Sequence, residues 1–136
     1  MIIVDTGAFI ALLDKRDPFH QLAKGCFSSI REPLITTLPV ITEACYLLTH
    51  QAAYSLLKSL DSNAFQVFSL EPHHMGRAAD LMDQYVDLPM DFADASLVVL
   101  AEVLGHGRII TVDRRDFSVY RWKNSNVFDN LLFPNN

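Results

Sequence analysis

Four carboxylates occupy places in this chain where a charge needs a reason. Asp5 closes the run Ile2-Ile3-Val4, and Glu43 lies inside the apolar stretch 41–48. Asp94 falls in Asp91-Phe92-Ala93-Asp94-Ala95, and Asp113 follows Ile109-Ile110-Thr111-Val112. Short β-branched runs read as strands buried on both faces, which puts Asp5 and Asp113 at the C-terminal edge of a parallel sheet. That edge is where open α/β sheets build their sites. Glu43 and Asp94 lie on helical patterns able to reach the same edge. Glu43 shares a face with Val40 and Leu47, and Asp94 shares one with Leu97, Val98 and Ala101. Two such charges about 5 Å apart, at an effective dielectric of about 20, repel by roughly 3 kcal/mol. A cation offsets that repulsion, and an all-oxygen donor set suits Mg²⁺ or Mn²⁺.

Each acid also has a purely structural explanation. Asp5 can cap the helix that follows its strand, Asp113 and Asp116 can be turn-forming residues after theirs, and Asp91 reads as the cap of a helix that includes Asp94. Glu43 on an apolar stripe calls for either a salt bridge or a metal, because an unpartnered buried glutamate is costly. One shared site explains all four acids together, whereas the structural explanations must hold one by one. Other polar residues carry less chemistry. His73 and His74 lack a spaced third ligand and read as a surface pair, and His106 reads as a helix-end residue. The sequence holds no phosphate-binding glycine loop and no Ser or Cys nucleophile motif.

The elements that must position these acids follow from periodicity and breakers. Strands are expected over residues 2–5, 34–37, 65–70 and 108–112, with a fifth within 127–133. Helices are expected over residues 6–13, 19–30, 39–50, 52–60, 72–86 and 91–104, punctuated by Pro18, Pro33, Pro72, Pro89 and the Gly105-His106-Gly107 stop. Strands alternating with helices imply right-handed crossovers and a parallel sheet covered by helices, so the fold class is α/β.

Bulk properties bound the rest. A chain of 136 residues makes one domain over residues 1–136, and 50% hydrophobic content with 20% charge excludes disorder. Cys26 and Cys45 are far apart and form no C-x-x-C, which excludes a zinc ribbon or redox pair. No apolar run approaches the ~20 residues of a membrane span, and no secretory leader pattern precedes the first strand. The expectation is a soluble cytoplasmic protein with no membrane partner. The net charge of −5 argues at first against nucleic acid, but four of the negative charges are the candidate ligands themselves. Arg108, Arg114, Arg115, Arg121 and Lys123 concentrate in one stretch and form a local basic rim able to bind phosphates.

Four segments in order resemble the PIN-domain nucleases, and among them the VapC-type toxins of toxin–antitoxin pairs. They are residues 1–7 ending Val4-Asp5-Thr6-Gly7, then Thr42-Glu43, then Met90-Asp91-Phe92-Ala93-Asp94-Ala95-Ser96-Leu97, then Thr111-Val112-Asp113-Arg114-Arg115-Asp116-Phe117. The resemblance implies a five-stranded parallel sheet and an acidic cleft for Mg²⁺ or Mn²⁺. It assigns the acids to Asp5, Glu43, Asp94 and one of Asp113 or Asp116, with Thr6 and Thr111 as supporting polar residues. The implied activity is metal-dependent endoribonuclease cleavage of RNA by an activated water, with Arg114 and Arg115 as candidates for contacts to flanking phosphates. The implied partners are an RNA substrate, a second copy of the chain and a small antitoxin protein. Phe27, Ile30, Tyr46, Leu47, Tyr54 and Leu57 are candidates for a two-fold patch, in keeping with a mean hydropathy of +0.17.

Rival readings are weaker. Asp5-Thr6-Gly7-Ala8 also matches the aspartic-protease motif, but that chemistry needs two such aspartates in an all-β setting. A phosphohydrolase would usually carry a second Asp at position 7. The alternative of a catalytically silent PIN scaffold is opposed by the intact acidic set.

Overall fold

The computed structural model describes residues 1–134. In chain order the elements are β1 (Ile2–Val4), α1 (Thr6–Leu13), α2 (His20–Ser29), β2 (Leu34–Thr37), α3 (Leu38–Leu47), α4 (His50–Asp61) and β3 (Gln66–Phe68). There follow a 3₁₀ turn (Pro72–His74), α5 (Met75–Gln84), α6 (Phe92–Leu104), β4 (Arg108–Ile110), α7 (Arg114–Val119) and β5 (Asp129–Asn130). All five strands pair in parallel, in the order β3-β2-β1-β4-β5. The chain thus winds outward from β1 to one side, then returns to pair β4 on the other. The C-terminal ends of β1 and β4 flank the point where the winding reverses, which is the crevice such sheets use for ligands.

Burial explains the order. Ile2, Ile3 and Val4 are fully buried, as are Ile109 and Ile110, so the two central strands need helices on both faces. From Ala95 to Ala101 every residue of α6 is buried, which makes it the most enclosed helix. Gly105, at φ 79°, ends α6 in the left-handed conformation that a residue without a Cβ adopts at low cost. No helix among the described residues is long and apolar enough to cross a membrane.

The strands and helices expected from the sequence all appear, one further helix joins them, and the boundaries differ for identifiable reasons. β1 stops at Val4 because Asp5 already caps α1, and β4 stops at Ile110, opposite that last residue of β1. The helix expected over 39–50 ends at Leu47, because Thr49 caps a new helix through its side-chain oxygen. The helix expected over 72–86 opens as a 3₁₀ turn. Residues 114–119, read from sequence as a turn, form α7.

Gly7 sets the distance between the two central strand ends. A Cβ there would collide with Val112 Cγ2, so α1 lies against the segment after β4 only because position 7 has no side chain. Gly7→Ala is expected to destabilise the fold by about 1–2 kcal/mol in a urea melt, overpacking outweighing the helical gain of alanine. A stability equal to or above that of the parent would show that Val112 simply moves aside.

Candidate active site

Asp5 and Asp113 each cap the helix that follows their strand, and Asp91 caps the helix that carries Asp94. Asp5 Oδ1 accepts the Thr6 amide at 2.7 Å, Asp91 Oδ1 the Asp94 amide at 2.8 Å, and Asp113 Oδ1 the Asp116 amide at 3.0 Å. Capping and site membership are therefore not alternatives here. Asp5 is 5% exposed, and its second oxygen accepts the Thr111 hydroxyl at 2.7 Å. Thr111 Oγ1 in turn accepts the Asp113 amide at 2.9 Å, so one buried hydroxyl ties the ends of β1 and β4 together. Asn130 completes this join. It donates to the Thr111 carbonyl and accepts the Thr111 amide, locking β5 beside β4.

The electrostatics follow from burial without compensation. Burial pushes the Asp5 carboxyl up to about 6; the Thr111 and Thr6 hydrogen bonds oppose the rise, and the Asp113 and Glu43 charges add to it. Asp94, in the first turn of α6, is pushed up to about 8 by burial and then by the Asp5 and Asp91 charges, although Tyr120 donates its hydroxyl to Oδ2 at 3.2 Å. Burial also raises Asp113, with the Asp116 carboxyl adding to the effect and Arg115 tempering it. Glu43 is raised by burial and by Asp91, and held back by the nearby Thr6 hydroxyl. The described residues include ion pairs at Glu32, Asp14 and Glu102, but none involves these acids.

Asp5 thus lies within electrostatic reach of Glu43, Asp94 and Asp113. Of the last pair, Asp113 is the one linked through Thr111 to Asp5; Asp116 stands behind it, half-buried, acting on Asp113 and on Tyr120. Glu43 departs from the reading of a continuous apolar stripe. Leu47, one turn on, is 58% exposed, so Glu43 sits half-buried at the rim and faces Thr6 and Asp91. The basic rim contracts as well. Arg108 lies at the opposite end of β4 and forms a bidentate pair with Glu32 at 2.7 and 2.6 Å. Arg121 folds onto the carbonyls that end α7, and Lys123 lies beside Glu102. Arg114 and Arg115 remain exposed, and neither forms an ion pair within the described residues.

Sequence reasoning missed Tyr120, fully buried yet bonded to Asp94, and the Thr37–Ser96 hydroxyl pair at 2.6 Å, which joins the end of β2 to α6 two residues beyond Asp94. Tyr120 is an aromatic 26 residues beyond its partner, and nothing in its local pattern distinguishes it from core. His73 and His74 stack on each other near the surface, as read.

A hard divalent cation fits this donor set in charge and chemistry. The carboxylates are all-oxygen and mutually repulsive, none forms an ion pair among the described residues, and Thr6 Oγ1 is buried beside them with no hydrogen-bond partner. The set is not a finished coordination sphere: among the described residues no three His, Cys, Asp or Glu side chains are grouped to hold a metal ion as they stand.

Residues 2–123 match the family described as PIN domain. Over 124 residues the chain is 31% identical to Ribonuclease VapC26 of Mycobacterium tuberculosis (strain ATCC 25618 / H37Rv), covering 88% of this chain and 92% of that protein. The crystal structure of M. tuberculosis VapC20, described as a Sarcin-Ricin loop cleaving toxin, superposes with a TM-score of 0.78 at 22% identity, covering 85% of this chain and 92% of that one. A toxin–antitoxin complex from Klebsiella pneumoniae gives 0.67 at 17%, covering 88% and 92%. At those identities the two structures speak to the fold.

Proposed function

Since the chain belongs to the PIN-domain family, within its VapC-type branch, we propose that it is an Mg²⁺- or Mn²⁺-dependent endoribonuclease, the toxin of a toxin–antitoxin pair. The observation that carries the metal dependence is the uncompensated acidic cluster at the ends of β1 and β4. Asp5, Glu43, Asp94 and Asp113 would hold the ion, with Thr6 Oγ1 at hand as a neutral oxygen. Bound there, a divalent cation supplies an acidified water and charge neutralisation at the scissile phosphate.

The chain's own residues do the positioning. Thr111 fixes Asp5 relative to Asp113, and Tyr120 fixes Asp94. Arg114 and Arg115 bind phosphates that flank the cleaved bond, offsetting the repulsion between RNA and the acids. Such a protein acts in the cytoplasm, where its substrate is. An exposed apolar strip on α3 and α4, with Tyr46 at 87% exposure and Leu47 and Tyr54 beside it, is the face offered to a second copy or to the antitoxin. Phe27 and Ile30 are not part of it, because they pack against the core.

The test is RNA cleavage in Mg²⁺ against EDTA, run beside calorimetric titration of Mn²⁺. Cleavage is expected only with metal, and Glu43→Gln is expected to weaken Mn²⁺ binding by roughly 10-fold or more while leaving the melt nearly unchanged. Mn²⁺ binding without cleavage of any RNA would favour the silent scaffold, and equal activity in EDTA would end the metal reading.

A further inference from the structure

Residues of α7 and β5, with Phe128 and Phe133, line a cavity of about 260 Å³ that the carboxylate chemistry leaves unused. Phe117, Phe128 and Phe133 line it, together with Arg114, Arg115 and Asn130. The Arg114 guanidinium lies 4.4 Å from the centre of the Phe133 ring, a stacked arrangement that orients its N–H groups without consuming them. Asn130 is the same residue that grips Thr111, and Thr111 is hydrogen-bonded to Asp5. The cavity and the acidic cluster therefore share a wall.

We infer that this cavity is a subsite for one nucleotide beside the scissile phosphate, with Arg114 and Arg115 taking its phosphate and the phenylalanine-lined cleft its base. The inference rests on the ribonuclease reading and adds to it a place and a register. Charge complementarity selects the occupant. Two arginines without carboxylate partners in the described residues face an anion, and the apolar interior next to them accepts a flat, uncharged ring. Neither feature alone does this: the acids repel phosphate, and an aromatic cleft without the arginines would not hold a charged backbone. Their adjacency puts a single-stranded RNA across the end of β4 with its cleaved bond over Asp5 and Asp113.

The experiment measures binding of a fluorescent single-stranded 12-nucleotide RNA of mixed sequence to the full chain in EDTA, across a KCl series, with cleavage kinetics in Mg²⁺ alongside. Arg114→Ala and Arg115→Ala should each weaken binding and flatten the dependence of log affinity on log salt by about 0.7. Phe133→Ala should weaken binding roughly 10-fold with the salt slope unchanged, and Phe133→Tyr should restore it. In kinetics these variants should raise KM and leave kcat unchanged. If the parent binds and cleaves RNA and the three variants match it, the subsite is wrong and the ribonuclease reading stands. If the parent neither binds nor cleaves, the ribonuclease reading fails first. Variants that keep RNA affinity but lose affinity for a polyglutamate peptide would reassign the cavity to an acidic protein segment and overturn the inference.

Discussion

Asp5→Asn is expected to abolish most RNA cleavage and yet make the protein more stable at neutral pH. The variant keeps an oxygen for the Thr6 amide, so the α1 cap survives, but it removes a charge from a position that is 5% exposed. Even residues that merely support a metal ligand are worth 10–100-fold in activity, so loss of the ligand should cost at least about 100-fold. On stability the sign follows from the raised carboxyl. Its rise from 3.8 to about 6 amounts to about 3 kcal/mol of disfavoured ionisation in the fold at pH 7.5. Part of that is offset when the Thr111 hydroxyl loses a charged acceptor, so a net gain of about 1–2 kcal/mol is expected. At pH 5 the parent Asp5 is mostly protonated and the gain should shrink. Thermal melts at both pH values, beside a cleavage assay, check all three statements; a variant with parental activity would remove Asp5 from the site.

The second expectation concerns the metal-free parent, whose stability should fall as pH rises from 5 to 8. Asp5 and Asp94 have folded values above their unfolded 3.8, at about 6 and about 8. Between the two values the native state binds more protons than the unfolded chain, so raising pH favours unfolding. The stability these groups contribute is complete below pH 3.8 and is lost through pH 6 for Asp5 and pH 8 for Asp94. Asp14, Glu32 and Glu102 are shifted the opposite way, but their stability is lost only on acidification below the usual carboxylate range, outside this window. A decline of roughly 10 °C or more in Tm is expected, at about 2–4 °C per kcal/mol for chains near this size. Saturating Mg²⁺ or Mn²⁺ should reverse it, adding about 2.7 kcal/mol at 100 times Kd. A flat profile in EDTA, or a profile indifferent to metal, would show that the acids do not act as one cluster.

Much of this was legible in the residues, for reasons that can be named. β-branched runs marked β1, β2 and β4 because central parallel strands are buried on both faces, and an Asp after such a run is a local signal. The apolar density of α6 announced its enclosure. What stayed hidden was tertiary. α7 is six residues long, too short to show a period, and so read as a turn. The partnership of Tyr120 with Asp94, and of Thr37 with Ser96, depends on elements brought together across the sheet. The clustering of five basic residues along the chain did not survive in space, because strand direction sent Arg108 to the other end of β4. Glu43 on a helical face gave the right residue for an incomplete reason, since the face turns outward at Leu47.

The hydroxyls and amides around the acids also decide where conformational entropy remains. Asp5 and Asp113 hold their χ angles through helix amides, and Asp94 is held by a phenol, all before any ion arrives. Folding has already absorbed the rotamer loss for three of the four carboxylates. Glu43 makes no hydrogen bond of that kind among the described residues, having only the nearby Thr6 hydroxyl beside it, and a long charged side chain gives up as much as about 1.5–2 kcal/mol on being fixed. Cation affinity in this protein should therefore be set by its most mobile carboxylate, and any neighbour that stills Glu43 will tighten the site without touching the ion.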